Sequence, residues 1–65
     1  MISIARQLAA ARPFKPFRLV LTGGHEVPVT AADRISFPFP DTADVRTGDG
    51  YRHVVDLNHL IEIRS

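Results

Sequence analysis

The chain has 65 residues, no cysteine, and eight Lys and Arg against seven Asp and Glu, for a net charge of +1. A length like this makes one domain, residues 1–65, and buries only about 60% of the unfolded surface, so with no disulfide to brace it self-association is the expected support. The missing cysteines exclude thiol catalysis and thiolate zinc sites, and the 45% apolar share is too high for a disordered chain.

Residues 2–11 are expected to form a helix, because Ile4, Leu8 and Ala11 recur at i, i+4 and i+7 beside Ala5 and Ala9, with Ser3 as the cap. Arg6 interrupts this apolar start well short of a signal-peptide core or the roughly 20 residues of a membrane span. A cytoplasmic protein away from membranes is the expectation. Pro13 and Pro16 end the helix and stiffen the connector Arg12-Pro-Phe-Lys-Pro-Phe17. Residues 1–24 hold Arg6, Arg12, Lys15 and Arg18 with no acid, whereas residues 25–65 hold four arginines against all seven acids. Such an arm reads first as a solvated face and second as a surface for nucleic acid.

Phe17 to Val29 carries the strongest local signal. Phe17, Leu19 and Leu21 share one strand face, and Val27 and Val29 share another across Gly23-Gly24. Two adjacent glycines predict a two-residue type I′ hairpin, whose central positions both need φ > 0. Pro28 cannot donate to a ladder, which assigns its strand to an edge or a bulge. Residues 34–39 form a third run with Ile35, Phe37 and Phe39 on one side, and Pro38 and Pro40 bend it.

Residues 41–47 are weakly patterned, but Gly48-Asp49-Gly50 is a clear turn, predicting a second hairpin of 43–47 with 51–56. Leu57-Asn58-His59 makes one helical turn or tight bend before Leu60-Ile-Glu-Ile-Arg64, in which Ile61 and Ile63 are expected to face the core. These elements predict a mainly β, small α+β domain: an N-terminal helix followed by a strongly bent five- to six-stranded antiparallel sheet of barrel character.

Pro13-Phe-Lys-Pro-Phe-Arg-Leu-Val-Leu-Thr-Gly-Gly-His-Glu-Val-Pro-Val29, with Val55-Asp-Leu-Asn-His-Leu-Ile-Glu-Ile63, resembles a group of short uncharacterised bacterial proteins. Their pattern runs P-F-x-P-F-R-L-x-L-x-x-G-x-x-x-x-V and then V-D-L-x-H-I-x-x-I. That resemblance brings no activity. More loosely, a short helix ahead of bent strands, with a one-turn helix before the last, is similar to Sm-like RNA-binding proteins and to SH3-like small barrels. The Sm-like resemblance implies an RNA-binding homo-oligomer. The chain departs from the Sm pattern at Ala32-Asp-Arg-Ile-Ser-Phe37 and at Leu57-Asn58-His59.

His53, Asp56 and His59 make H-x-x-D-x-x-H, residue types that bind zinc. On a strand, however, positions 53 and 56 point to opposite faces, and turn stabilisation by Asp56 and Asn58 is the better reading. Serines stand only at 3, 36 and 65, none in a nucleophile elbow. Asp41, Asp44 and Asp49 suit turns, and no helix start follows Gly23-Gly24 to cradle a phosphate. Phe17 and Phe37 read as core, whereas Phe14, Phe39 and Tyr51 adjoin prolines or turns. Binding is therefore expected, not enzymatic catalysis, with no cofactor and no metal. The candidate contacts are Arg52, Asn58 and His59 at the bend between the last two strands, with Arg46 and Arg18 in support. Asp56 and Glu62 nearby oppose an anionic ligand. Two functions fit: an Sm-like homo-oligomer touching RNA, and a protein interaction or assembly domain that uses an exposed strand edge, expected at 60–64.

Overall fold

A computed structural model describes residues 2–65. Helix α1 (Ile2–Ala10) ends where Pro13 and Pro16 demand, and the Arg12–Pro13 peptide is cis. Ile2, Ala5, Leu8 and Ala9 form its packed stripe, with Ala5 wholly buried, while Ile4 is 50% exposed. The packed stripe thus keeps Ala5, Leu8 and Ala9 of the expected face and is rotated so that Ile2 replaces Ile4. Arg6 accounts for the rotation. Its guanidinium lies 4.6 Å from the Phe37 ring centroid and donates to the carbonyls of Phe39 (3.3 Å) and Pro40 (3.4 Å). Ser3 stands inside the first turn of the helix and not ahead of it as a cap.

Strands β1 (Phe17–Leu21) and β2 (Glu26–Val29) pair antiparallel, with Phe17 opposite Val29 and Val20 opposite Glu26. Both hairpin glycines have positive φ, +89° at Gly23 and +83° at Gly24. The loop nonetheless has three residues, because Leu21 N–H donates to the His25 carbonyl (2.8 Å) and Gly24 N–H to the Leu21 carbonyl (2.9 Å). With Thr22 at negative φ and Gly23 at positive φ, the turn has the type II sign pattern, and Gly24 follows it in the left-handed region. This corrects the two-residue type I′ expectation. A second three-residue loop, closed by Thr47 and Tyr51, joins β4 (Thr42–Arg46) to β5 (Arg52–Asp56); neither Gly48 nor Asp49 has positive φ, the type I sign pattern, and Gly50 follows in the left-handed region at +90°.

Strand β3 (Ile35–Phe39) follows a short 3₁₀ turn at Ala32–Arg34, and a second such turn, Leu57–His59, precedes β6 (Leu60–Arg64). The strands form two three-stranded antiparallel sheets, ordered β2-β1-β6 and β3-β4-β5. Pro28 accordingly lies on an edge strand, and the register of β3 shifts between Ser36 and Phe39, where Pro38 removes a donor. That shift leaves Phe39 at 64% exposure instead of on the core side.

One core joins both inner faces and the helix through Ala5, Phe17, Leu19, Val27, Val45 and Leu57. Leu60 belongs to it and Ile63 packs against it, but Ile61 is 53% exposed. The register explains this. Val20 faces Glu62 and Leu21 faces Leu60, so Ile61 is the extra residue of a bulge and points outward. Val20 is buried on the opposite face of β1 from that core, between Glu26 and Glu62 on its two neighbouring strands.

Candidate functional site

The bend before β6 is held from several sides. Asp56 accepts the Asn58 backbone N–H (2.9 Å), capping the 3₁₀ turn, and Asn58 Nδ2 donates to Asp41 Oδ2 (3.4 Å). Thr22 donates through its N–H (2.8 Å) and hydroxyl (3.1 Å) to the His59 carbonyl, and Leu57 N–H donates to the Asp41 carbonyl (2.8 Å). His59 Nε2 stands 3.5 Å from Asp56 Oδ2, its ring largely exposed. Asp56 and Asn58 therefore act in the turn as their spacing suggests. What remains open to a ligand is the outer edge of His59 and the Asn58 amide.

Arg52 sits at the far end of β5 from this bend. Four strand steps, about 13 Å, separate it from Asp56. Its Nε and Nη2 reach the two Asp44 oxygens in a forked pair, and the Asp44 hydrogen bonds hold the guanidinium pKa above its usual value. Arg46 lies opposite Arg52 in register and donates to the Asp33 carbonyl (2.8 Å), while Arg34 donates to the Thr47 carbonyl (3.4 Å). Carbonyl partners fix these two guanidiniums without cancelling their charge.

Arg18 is on the other sheet. On its outer face Arg18 meets Glu26 at 3.2 Å, Arg64 meets the same carboxylate at 3.7 Å, and Arg64 Nε bonds Glu62 at 2.9 Å. Hydrogen bonding to Glu62 raises the Arg64 pKa, with Glu26 adding to the effect. Beside this network an open groove of about 300 Å³ runs between Pro16, Pro28, Thr30 and Ser65, with Arg18 and Arg64 along it.

The structure thus brings Asn58 and His59 together, sets Arg46 beside Arg52 elsewhere, and leaves Arg18 apart from both groups. His53 lies on the core side of β5 near His25, their ring centroids 6.5 Å apart, and Asp56 lies on the other face. Among the described residues no three His, Cys, Asp or Glu side chains gather around a common point, and no helix is long and apolar enough to cross a membrane.

The contacts expected from the sequence leave out the apolar outer surface around β5, although the sequence marks it. Tyr51 is 68% exposed and Val54 70%, at the open edge of the second sheet. The adjacent pair Val54-Val55 held the signal, since alternation lets only one of them face the core. The Asp44–Arg52 pair is a diagonal cross-strand contact, since Asp44 stands opposite Val54 and Arg52 opposite Arg46. No family model, curated protein or solved structure matches this chain.

Proposed function

We propose that this chain is a small binding module that works by protein–protein assembly, not by catalysis. The observation carrying this reading is the contrast around β5 and β6: Tyr51, Val54 and Ile61 stay exposed, while the nearby Arg52 and Arg64 already hold carboxylates. A guanidinium forked onto a carboxylate must give it up before it grips a phosphate, whereas large exposed apolar side chains gain by burial in an interface. Self-association also answers the shortage of core in so short a chain. In this reading the two sheets are halves of one bent Sm-like or SH3-like barrel. Their shared core and the run of β2 through the first 3₁₀ turn into β3 support that arrangement.

A second reading is the Sm-like RNA-binding homo-oligomer. Arg34 and Arg46 favour it, two uncancelled charges on neighbouring elements, with Tyr51 exposed in the following turn. Light scattering across a concentration series, combined with the 260/280 nm absorbance ratio of protein purified without nuclease, separates the two. With one tyrosine and no tryptophan, even a little bound nucleic acid dominates the spectrum. The assembly reading expects a mass above a single chain and no excess at 260 nm. Co-purifying nucleic acid that is released by salt and lost in Arg46→Ala establishes the second reading instead. A bare monomer at every concentration overturns both.

A further inference from the structure

Resting on that assembly reading, we propose that two copies of this chain join through β5, antiparallel and edge to edge, about a two-fold axis at Val54. The two sheets have four outer strands, β2 and β6 in one, β3 and β5 in the other. Three of them carry features that discourage a further strand. The Leu21–His25 hydrogen bond fixes the alternation of β2 so that Val27 and Val29 bond inward, which turns Pro28, without an N–H, to the open side. Strand β3 has Pro38 and a broken register. Strand β6 has the bulge at Ile61, which displaces the assembly edge expected at 60–64 as the better candidate.

Strand β5 has none of these. It pairs with β4 in unbroken register from Thr42–Asp56 to Arg46–Arg52, and Arg-His-Val-Val-Asp contains neither proline nor glycine. Thr47 N–H bonds the Tyr51 carbonyl and Leu57 N–H the Asp41 carbonyl, so the odd-numbered residues of β5 are the ones bonded to β4. The N–H and C=O groups of Arg52, Val54 and Asp56 then point to the open edge. The side chains of these three residues are on the outer face and are exposed.

Charge selects the register. With the axis at Val54, Val54 faces its own copy, Arg52 faces Asp56 of the second chain at both ends, and each facing pair exchanges two backbone hydrogen bonds. An axis at Arg52 sets arginine against arginine, and one at Asp56 sets aspartate against aspartate. Axes at His53 or Val55 set Val54 against a charge. Only the Val54 register makes the edge complementary to itself, as a two-fold contact requires. Arg52 then lies between Asp44 of its own chain and Asp56 of the other.

Single cysteines test this directly, because the chain has none. Val54→Cys and Ile61→Cys each place one thiol at an exposed site. Facing Cα atoms of a hydrogen-bonded pair stand about 5.5 Å apart, within disulfide reach. Under mild oxidation Val54→Cys should cross-link to itself roughly ten-fold faster than Ile61→Cys, through the effective concentration of the paired state. Val54→Pro removes an open-edge N–H but no bond to β4, so light scattering should find a folded monomer. If proline unfolds the chain, Val54→Lys gives the same reading by setting like charges face to face. Equal cross-linking at both sites, or a folded Val54→Lys protein that remains dimeric, overturns the β5 pairing and leaves the assembly reading to another surface. A wild type that stays monomeric at millimolar concentration overturns the assembly reading and the pairing with it.

Discussion

Replacing Gly24 with valine isolates the backbone requirement of the first hairpin. Gly24 has φ of +83°, and a Cβ built there meets no atom within 4 Å, so the cost is conformational and not steric. An L-residue in the left-handed region costs about 1–2 kcal/mol, and a β-branched side chain fits that region worst. Against this, replacing glycine restricts the unfolded chain and returns about 0.4–1 kcal/mol. The branching strain keeps the net loss above roughly 1 kcal/mol, which in a domain of this size lowers Tm by about 4–8 °C per kcal/mol. Gly48 supplies the control. It also has open space around its Cβ position but lies outside the positive-φ region, so Gly48→Ala should leave Tm unchanged or raise it slightly. Thermal melts followed by far-UV circular dichroism measure both. A Gly24→Val protein melting with the wild type, or a Gly48→Ala protein falling as far as Gly24→Val, refutes the argument from φ.

The β6 bulge predicts opposite outcomes for neighbours: Leu60→Ala should cost about 2–5 kcal/mol in urea unfolding and Ile61→Ala less than about 0.5 kcal/mol, and similar losses would restore a regular β6. Asp56→Ala removes the cap on the second 3₁₀ turn and should cost about 1 kcal/mol, measured in dilute solution where assembly does not contribute. The Asp49 carboxyl is held below its ordinary pKa, first by the Thr47 hydroxyl and then by the Tyr51 N–H. Its stabilisation is therefore present above the unfolded-chain value of about 4 and is lost as pH falls through the lower folded value. Asp49→Asn should flatten that acid limb in a series of melts against pH, and an unchanged limb would assign it to other carboxylates.

Local chemistry made much of the fold legible. Gly23-Gly24 and Gly48-Asp49-Gly50 mark both hairpins because positive φ is a demand on a single residue, visible without knowledge of its partners. Loop length was not legible, since Thr22 fits equally as the last strand residue or the first loop residue, and only the Leu21–His25 bond decides. The helix face was misjudged for a related reason. In an alanine-rich segment several stripes are nearly equivalent, and Phe37, thirty-one positions along the chain, selects one by stacking beneath Arg6. Ile61 shows the limit of alternation, because a bulge comes from the register with β1 and leaves no mark on β6 itself. The candidate contacts were chosen for residue type near one bend, yet strand length carries Arg52 away from Asn58 and His59, and sheet membership carries Arg18 further still.

Charge read along the chain and charge read in space give different molecules. The acid-free stretch over residues 1–24 suggests a basic arm, but its members part company on folding. Arg18, Glu26, Arg64 and Glu62 form a chain of alternating sign, laid across the outer face at the buried Val20. The apolar stems of such side chains shield a valine that the core does not reach, and their charged ends neutralise one another. Arg6 is drawn the other way, onto Phe37 and two carbonyls, where it ties the helix to β3. Arg6 and Arg12 meet only backbone carbonyls and keep their charge, and so do Arg34 and Arg46, which come from the segment that holds all seven acids. A basic surface on this protein is thus set by which arginines fail to meet a carboxylate, and register withdraws Arg18, Arg52 and Arg64 from it. The same logic governs β5, where Arg52 and Asp56 cannot meet within one strand and become complementary only across a two-fold axis.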